Sequence, residues 1–398
     1  METRTGLFTN AIIWFGVAIS VSEIIAGIQI GSAAPINSIW IPLILGHIVG
    51  GILLFLVGLI GARLRVNAME TIKSTFGNYG SKFFAALNVM QLIAWVAVLN
   101  AQGTQALMGL NLGISFPIIS IVLAALVAIW VYIGLQRSSK VTTIVMFVLT
   151  LLLVVLTVNL FGMGLNYSFP IANSNMLNFW NIFEISIAMP VSWLPVISDY
   201  TKDVNEPRKA TAVSAIAYTI ASLWMYFIGI EIVGMGTTDV SQAILLAGLG
   251  VQGVLILVLS TVTTNFLATN SAGESAKAIF NKLNPKHAGV VVSVLSAILA
   301  ISGIMDHYIN FLYLITSVFA PMAAVLVVSF YLGEDDNDNR RWLWNIFSWL
   351  AGFIVYQVTA SFDSIFLGPT LLAVIVSAAL AYIWIMLKKS LSYMNDND

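Results

Sequence analysis

Residues 181–200 read N-I-F-E-I-S-I-A-M-P-V-S-W-L-P-V-I-S-D-Y, with Pro190 and Pro195 five positions apart in the middle of an apolar segment. Each proline removes a backbone N–H donor and clashes with the preceding helical turn. One proline in such a segment is more often only a kink. Because two occur together, the segment is predicted to be a helix that unwinds between them, near Ser192 and Trp193.

The composition around this segment indicates a membrane protein. The chain has 398 residues, of which 59% are hydrophobic and 9% charged, and its mean hydropathy is +0.94. Soluble globular domains carry about 25% charged residues. Cysteine is absent, which excludes a disulfide framework, a zinc–thiolate site, an iron–sulfur cluster and a cysteine nucleophile. The three histidines, His47, His287 and His307, form no metal-binding motif.

Apolar segments long enough to cross about 30 Å of hydrocarbon recur along the whole chain. Their number predicts a multi-pass protein of the cell membrane. The membrane is expected to be a bacterial plasma or inner membrane. The twelve predicted spans are 10–31, 36–61, 83–109, 116–135, 141–162, 179–198, 210–234, 243–270, 288–305, 309–332, 342–360 and 367–387.

The distribution of basic residues supports this number of spans. If the N-terminus is cytoplasmic, all seventeen Lys and Arg residues fall on the cytoplasmic side, in agreement with the positive-inside rule. A miscounted span would reverse the side of every later loop, so both termini are predicted to be cytoplasmic. The basic, amphipathic segment 62–80 predicts a connector along the inner surface, and 333–341 is predicted to be a short inner loop.

The first predicted span also has features of an interrupted helix. It places Gly16, Ser20, Ser22 and the ionisable Glu23 near the middle of the bilayer. A carboxylate at this depth costs about 2.5–3.5 kcal/mol on insertion scales, so Glu23 needs a partner or a proton. Interrupted helices at positions one and six of a ten-span core are typical of two inverted five-helix repeats, whose broken helices meet at a binding site in the middle of the membrane.

The predicted fold is therefore all-α and integral to the membrane, with about twelve transmembrane helices. Residues 1–398 are predicted to form a single transporter domain with a five-plus-five inverted-repeat core. Within it, 10–162 is the predicted first repeat and 179–332 the inverted second repeat. Residues 342–387 are predicted to add two peripheral helices.

A polar stretch interrupts the eighth predicted span, where residues 260–270 read S-T-V-T-T-N-F-L-A-T-N. Lipid cannot satisfy these side chains, so they must face protein, a cavity or an ion. At about 100° per residue, Ser260, Thr263 and Thr264 share one helix face, where two hydroxyls and the Ser260 carbonyl could bind a small cation. The alternative is that each hydroxyl bonds back to its own helix.

Four pieces of sequence carry a family resemblance through their order and spacing. They are L-I-L-G-H-I-V-G-G-I-L-L-F-L-V-G-L-I-G-A at 43–62, Q-L-I-A-W at 91–95, S-D-Y at 198–200 and T-T-N at 263–265. Together they resemble the nucleobase:cation symporter family of the purine–cytosine permease type, closest to the cytosine permeases and to a branch assigned to hydroxymethylpyrimidine, a thiamin precursor. The resemblance covers most of the first ten spans and implies a LeuT-like core.

The resemblance implies a sodium site between the first and eighth spans. Its ligands are expected to be the main-chain carbonyls of Ile19, Ser22 and Ser260 and the hydroxyls of Thr263 and Thr264. Sodium is therefore the expected coupling ion, and a proton is the alternative.

The resemblance also implies a substrate site in which aromatic groups sandwich a base and polar groups hydrogen-bond its edge. The matching residues are Trp95, Ser192, Trp193 and Asn265. Pro190 stands where cytosine permeases have an aromatic residue, so the resemblance leaves the second stacking face open, and Trp193 could supply it from a different position.

Two further polar residues extend the predicted site. Gln102 lies seven residues after Trp95, on the same side of the helix, and Gln91 lies one turn before it. These amides predict a polar stripe facing the substrate, although hydrogen bonding between helices explains such stripes equally well, and Trp95 alone could be a packing residue.

Glu23 departs from the family pattern, because the position beside the sodium carbonyls is neutral in the relatives. We hypothesise that Glu23 pairs with the ring nitrogen and the exocyclic amine of an aminopyrimidine. Cytosine presents the same edge. The alternatives are a structural carboxyl bonded to neighbouring helices and a proton-coupling group. Glu184 and Glu231 are expected to be structural or interfacial.

The leading functional prediction is a secondary transporter that imports hydroxymethylpyrimidine by sodium-coupled symport and alternating access. The alternative is a permease for cytosine or another nucleobase, with the proton as the alternative coupling ion. An enzyme is not predicted, since no nucleophile–base pair or phosphate-binding glycine motif occurs. A channel or a receptor is a further class. The expected partners are the small-molecule pyrimidine and the lipid bilayer, without nucleic acid or an obligate protein partner.

Overall fold

The computed structural model describes residues 5–133, 139–162, 176–246, 248–333, 341–362 and 367–395, and their regular structure is helical apart from one isolated β-bridge. The predicted inner loop at 333–341 lies mostly outside these residues. The helices are α1 (Leu7–Ala18), α2 (Val21–Ala33), α3 (Ile36–Leu64), α4 (Ala68–Met108), α5 (Phe116–Ile133), α6 (Ser139–Gly162), α7 (Phe179–Ser192), α8 (Ile197–Thr201), α9 (Pro207–Gly234), α10 (Val240–Leu246), α11 (Gly250–Ile279), α12 (Pro285–Ile301), α13 (Tyr308–Tyr331), α14 (Arg341–Thr359) and α15 (Pro369–Asn395).

Several of these helices are long and apolar enough to cross a membrane. By length and composition, six qualify within the described residues, and α1 and α2 together make a seventh if the bent pair is one span. The prediction of an all-α membrane fold is confirmed. The number of twelve spans and the cytoplasmic placement of both termini stay predictions.

Both predicted helix interruptions are present. α1 ends at Ala18 and α2 begins at Val21, with a bend of 50° between them, and the Ser20 hydroxyl accepts the backbone N–H of Glu23 at the start of α2. α7 ends at Ser192, and a turn leads to α8 at residue 197. Pro190 lies inside α7, and the helix continues for two residues beyond it, so the second break begins after Ser192.

The eighth predicted span is wrong at both ends. The chain forms the short helix α10, breaks near Gly248 and then continues as α11, which runs nine residues beyond the predicted end at 270. Gly248 and Gly250 have φ values of +76° and +59°, a region that side chains with a Cβ rarely adopt. The predicted connector 62–80 contains a helical segment that begins at Ala68 and is separated from the following span by non-helical backbone at Gly77, whose φ is +67°.

The contacts between helices follow the arrangement of two inverted repeats. The second span, α3, packs against α7 of the sixth span, and the seventh span, α9, packs against α1 and α2 of the first span. In addition, α4 packs against α11, and α5 packs against α12. Exchanging each span with the one five positions later reproduces this set of contacts, as a pseudo-twofold axis requires. The exact limits of the repeats at 10–162 and 179–332 stay a prediction.

Glu184 of α7 makes buried hydrogen bonds to the last two helices. Its Oε1 accepts the backbone N–H of Thr370 at 2.9 Å, and its Oε2 accepts the hydroxyls of Thr370 and, at 3.3 Å, Tyr356. A carboxylate at the first turn of a helix satisfies otherwise unpaired N–H groups. The contacts therefore agree with the expected structural role of Glu184.

A small set of contacts, here named the inner latch, ties the N-terminal segment and α8 to the rest of the protein on the side that carries the basic loops. Thr5 donates its N–H to Asp203 O at 3.0 Å and accepts the N–H of Asn205 at 3.2 Å. The Tyr200 hydroxyl lies 3.2 Å from the Ser271 hydroxyl of α11. These contacts hold both broken helices against their neighbours.

Two glycines allow α2 and α9 to cross in direct backbone contact. A Cβ atom on Gly27 would lie 2.2 Å from Tyr226 O, and a Cβ on Gly229 would lie 2.0 Å from Ile24 O. Real Cβ atoms do not approach a backbone oxygen this closely. The crossing places Glu23 of α2 beside the polar residues of α9.

Gly229→Val is therefore expected to destabilise the protein strongly. The added side chain must push two backbones apart, and overpacking in a well-packed interior costs about 1–3 kcal/mol or more. The thermal midpoint of the purified protein, followed by size-exclusion chromatography after heating, measures the effect. Gly6→Ala is the control, because a Cβ there meets nothing within 4 Å. Equal midpoints for the two variants would contradict the predicted close contact.

Candidate functional site

A cavity lies where the two broken helices meet α4 and α11. Ser20, Ser22 and Glu23 line it from the first break and Ser192 and Trp193 from the second. Two residues of the neighbouring helices complete the polar lining, namely Trp95 of α4 and Thr264 of α11. The unwound segments explain this position, since the backbone of an interrupted helix is tolerated in a membrane only where it faces protein or a cavity.

The structure places the predicted substrate residues in two groups. Glu23, Trp95, Ser192 and Trp193 line the same cavity, together with Met189 and Leu99. Gln102 and Asn265 are buried and do not form its wall, and Gln102 accepts the hydroxyl of the lining residue Ser22. Their roles in binding stay predictions.

Glu23 is almost fully buried, with 2% of its surface exposed. Its Oε1 accepts the Tyr218 hydroxyl at 2.9 Å, and its Oε2 accepts the Ser222 hydroxyl at 2.8 Å. Each carboxylate oxygen can accept about two hydrogen bonds, so both retain capacity toward the cavity. Glu23 therefore has the partners that a buried carboxyl needs and still faces a prospective ligand.

Several buried polar atoms around the cavity have no hydrogen-bond partner among the described residues. They are Trp95 Nε1, Gln102 Nε2 and Asn265 Oδ1. Gln102 uses only its oxygen, which accepts the Ser22 hydroxyl at 2.6 Å. Buried polar groups in native proteins are nearly always satisfied, so such a group of unpaired atoms requires a ligand, an ion or water.

The aromatic side chains at the cavity are held by other rings. Trp95 packs edge-to-face on Phe311 at a centroid distance of 5.3 Å and near Tyr308 at 6.3 Å. Trp193 packs edge-to-face on Trp14 at 5.9 Å. Such T-shaped contacts fix the orientation of a ring. Trp95 and Trp193 are thus pre-oriented walls of the cavity.

The predicted sodium ligands lie on the first break and on α11. Ile19 and Ser22 lie at the break, and Thr264 of α11 lines the cavity. Thr263 is buried in the same helix turn, and Ser260 lies within α11. The Ser22 carbonyl already accepts the Tyr308 hydroxyl at 3.0 Å. A cation at this carbonyl would share it with Tyr308.

Four residues around Glu23 were not predicted from the sequence, namely Tyr218, Ser222, His47 and Tyr308. Tyr218 and Ser222 are four positions apart, on one face of α9. This spacing of polar residues in an apolar span was the available signal. His47 is fully buried, and its partners come from other helices, so no local pattern indicates its role.

The comparison with known proteins agrees with this site and fold. The sequence profile of the family described as "Permease for cytosine/purines, uracil, thiamine, allantoin" matches residues 1–340. The chain belongs to this family. It is 19% identical over 337 residues to the cytosine permease of Escherichia coli (strain K12), a match that covers 84% of this chain and 80% of that protein.

Solved structures show the same fold. The chain resembles Mhp1 in an inward-facing conformation with a TM-score of 0.78 at 19% identity, covering 97% of this chain and 92% of that one. It also resembles Mhp1, a nucleobase–cation symport transporter, in a closed conformation with bromovinylhydantoin bound. The TM-score is 0.75 at 18% identity, covering 97% of this chain and 94% of that one. A third similar structure is that of a Na⁺-coupled sialic acid symporter, with a TM-score of 0.70 at 12% identity, covering 97% of this chain and 90% of that one. The LeuT-like fold class is thus confirmed, and the permease is a multi-pass cell membrane protein.

The family assignment confirms the predicted resemblance at family level. The relatives are permeases rather than enzymes, and several of the structural neighbours are cation symporters. The narrower assignment to the hydroxymethylpyrimidine branch, the pyrimidine itself and sodium as the coupling ion stay predictions.

Proposed function

We propose that this permease imports hydroxymethylpyrimidine, or a closely related aminopyrimidine, together with sodium. The observation that carries the proposal is the cavity between the broken helices, which combines Glu23 with two oriented tryptophans and has the unpaired buried amide atoms of Gln102 and Asn265 outside its wall. A flat heteroaromatic ring with a polar edge matches this combination of groups.

The stacking faces and the polar edge have distinct tasks. Base–aromatic stacking contributes about 1–3 kcal/mol per base and accepts any flat ring, so Trp95 and Trp193 provide affinity. Specificity requires hydrogen bonds in the plane of the ring. Glu23 supplies them if its protonated carboxyl donates to a ring nitrogen and accepts from the neighbouring amine.

The sodium part of the proposal depends on the neighbouring oxygen atoms. Carbonyl and hydroxyl oxygens are hard ligands that suit small cations, and the break after Ala18 frees carbonyls from helical hydrogen bonds. Thr264 lies on the opposite wall of the same cavity. An ion there would bridge α1–α2 to α11 and order the first break before substrate binds.

Alternating access follows from the location of the site. In inverted-repeat transporters, one part of the fold rocks against the other around a site at the broken helices. Both breaks contribute to the cavity wall of this permease, so such a movement would open the site to either side in turn.

The test is uptake of labelled hydroxymethylpyrimidine and labelled cytosine into proteoliposomes with an inward sodium gradient, an inward proton gradient or neither. We expect sodium-driven uptake of hydroxymethylpyrimidine that exceeds cytosine uptake. Cytosine-only uptake would favour the second candidate, which the cytosine permease relative supports. Uptake driven by the proton gradient alone would show that the proton, rather than sodium, is the coupling ion. Uptake of neither compound by folded protein would overturn the substrate assignment, and counterflow separates a carrier from a channel.

A further inference from the structure

The turn at the second helix break has a regular series of hydrogen bonds from which one bond is absent. Successive backbone N–H groups donate to the carbonyl three residues earlier, as in a 3₁₀-helix. The bonds run from Trp193 to Pro190 O at 3.2 Å, from Leu194 to Val191 O at 3.1 Å and from Val196 to Trp193 O at 3.1 Å. The bond from residue 195 to Ser192 O cannot form, because Pro195 has no N–H.

The side chain of Gln91 in α4 supplies the absent donor. Gln91 is buried, and its Nε2 donates to Ser192 O at 3.1 Å. Among the described residues, no backbone N–H donates to this carbonyl. A buried carbonyl without a donor is costly, so Gln91 replaces the N–H that Pro195 lacks.

Two acceptors fix the orientation of the Gln91 amide. Ser192 O can only accept, so the Gln91 atom beside it is the nitrogen. The same nitrogen donates its second hydrogen to Asn88 Oδ1 at 2.7 Å, and Asn88 Nδ2 donates to Ser275 Oγ of α11 at 2.8 Å. Gln91 Oε1 has no partner among the described residues. The contacts of this amide therefore use only its donor group.

The bond from Gln91 restrains the peptide plane that precedes Trp193. A peptide unit is planar, so Ser192 O and the N–H of Trp193 lie in one plane. Gln91 holds one edge of this plane, and Pro190 O holds the other. The plane sets the direction in which the Trp193 side chain leaves the backbone. That side chain packs on Trp14 and forms part of the cavity wall.

We propose that Gln91 is a positioning residue of the substrate site, which orients the Trp193 stacking face through the carbonyl of Ser192. The inference rests on the proposed function, because it assumes a flat ligand stacked on Trp193. Gln91 does not line the cavity, so it acts on the ligand only through the break. Without its bond the peptide plane can rotate, and the ring loses the orientation that a flat ligand needs.

Uptake kinetics in proteoliposomes test this role. Gln91→Met keeps the length of the side chain and removes both donor hydrogens. We expect the half-saturating concentration of the transported pyrimidine to rise by about threefold to tenfold, the loss expected for one hydrogen bond, while the maximal rate changes by less than about twofold. Gln105→Met, at an exposed position of the same helix, is the matched control. An unchanged half-saturating concentration in Gln91→Met would overturn the inference.

The variant Pro195→Ala tests the same bond from the other side. Alanine restores an N–H at position 195, where the series of bonds directs it toward Ser192 O. The carbonyl then no longer depends on Gln91, so adding Gln91→Met to Pro195→Ala should raise the half-saturating concentration by less than about twofold. An equal effect of Gln91→Met with proline and with alanine at position 195 would show that Gln91 does not act through this carbonyl.

Fluorine NMR of protein that contains 5-fluorotryptophan observes Trp193 without any substrate. The chain has eleven tryptophans, and the Trp193 signal is assigned by its absence in Trp193→Phe. We expect Gln91→Met to shift or broaden this signal and Pro195→Ala to restore it. The signal of Trp344 in α14, assigned in the same way, should stay unchanged. A Trp193 signal that is the same in Gln91→Met and the wild type would contradict the inference.

The two proposals fail in different ways. If the folded wild type takes up neither hydroxymethylpyrimidine nor cytosine, the proposed function is wrong, while the Trp193 signal still decides whether Gln91 orients this ring. If the wild type transports a pyrimidine and the Trp193 signal does not respond to Gln91→Met, only the role of Gln91 is wrong. If Gln91→Met does not fold, recovery of folded protein by Pro195→Ala would support the inference, and no recovery would contradict it.

Discussion

Glu23→Met is expected to reduce substrate uptake by about two orders of magnitude at subsaturating concentration. Methionine has a similar length but neither a donor nor an acceptor for the ring edge. Two neutral hydrogen bonds contribute about 0.5–1.5 kcal/mol each, and the polar groups of the ring that are left unpaired add to the loss. The variant also leaves Tyr218 and Ser222 without their acceptor. Uptake of labelled hydroxymethylpyrimidine into proteoliposomes, at several substrate concentrations, measures the loss.

Two further variants make this prediction specific. Glu23→Gln keeps one donor and one acceptor, so we expect it to retain a substantial part of the uptake that Glu23→Met loses. Glu231→Met is the control, because Glu231 is a buried glutamate of α9 outside the cavity wall. Uptake by Glu23→Met within about threefold of the wild type would exclude a role for this carboxyl in binding the substrate.

The second large effect is expected from Thr264→Val, which replaces a hydroxyl by a methyl group of nearly the same size. We expect the half-saturating sodium concentration for substrate uptake to rise by about tenfold to a hundredfold, because a lost oxygen contact to a cation is worth about 1.5–3 kcal/mol. Uptake at saturating sodium should change much less. A sodium titration with choline as the replacement cation gives both quantities.

Two comparisons separate a sodium ligand from a packing residue. Thr264→Ser keeps the hydroxyl, so it should preserve the sodium dependence. Tyr308→Phe removes the hydroxyl that occupies the Ser22 carbonyl, so it should lower the half-saturating sodium concentration if that carbonyl binds the ion. A sodium dependence that is identical in Thr264→Val and the wild type would remove Thr264 from the proposed site.

The sequence predicts the broken helices well because their causes are local. Pro190 and Pro195 interrupt backbone hydrogen bonding within a few residues, and Ser20 with Glu23 marks the first break in an otherwise apolar span. Glu23 is also conspicuous as a charged residue in that span. All of this information lies within short stretches of sequence. In the structure, both breaks and four of the six predicted substrate residues line one cavity.

The missed features depend on residues that are distant in the chain. His47 and Ser222 are 175 positions apart, and each is an ordinary polar residue within its own span. Only the packing of α3 and α9 on α2 brings them together with Glu23. The start of α11 was missed for another reason, since Gly248 and Gly250 lie within a continuous apolar run and their positive φ angles leave no mark in hydropathy.

The inner latch has a consequence for how readily this permease can change its shape. A hydrogen bond contributes about 0.5–1.5 kcal/mol net, so the two backbone bonds of Thr5 and the contact of Tyr200 with Ser271 together contribute only a few kcal/mol to holding these segments together. A ligand shifts a two-state equilibrium by its difference in affinity for the two states, and about 5.5 kcal/mol reverses a population ratio of one to ninety-nine. The inner latch is thus weak enough that an ion and a substrate could together supply the free energy to break its contacts, if each preferred a state that lacks them.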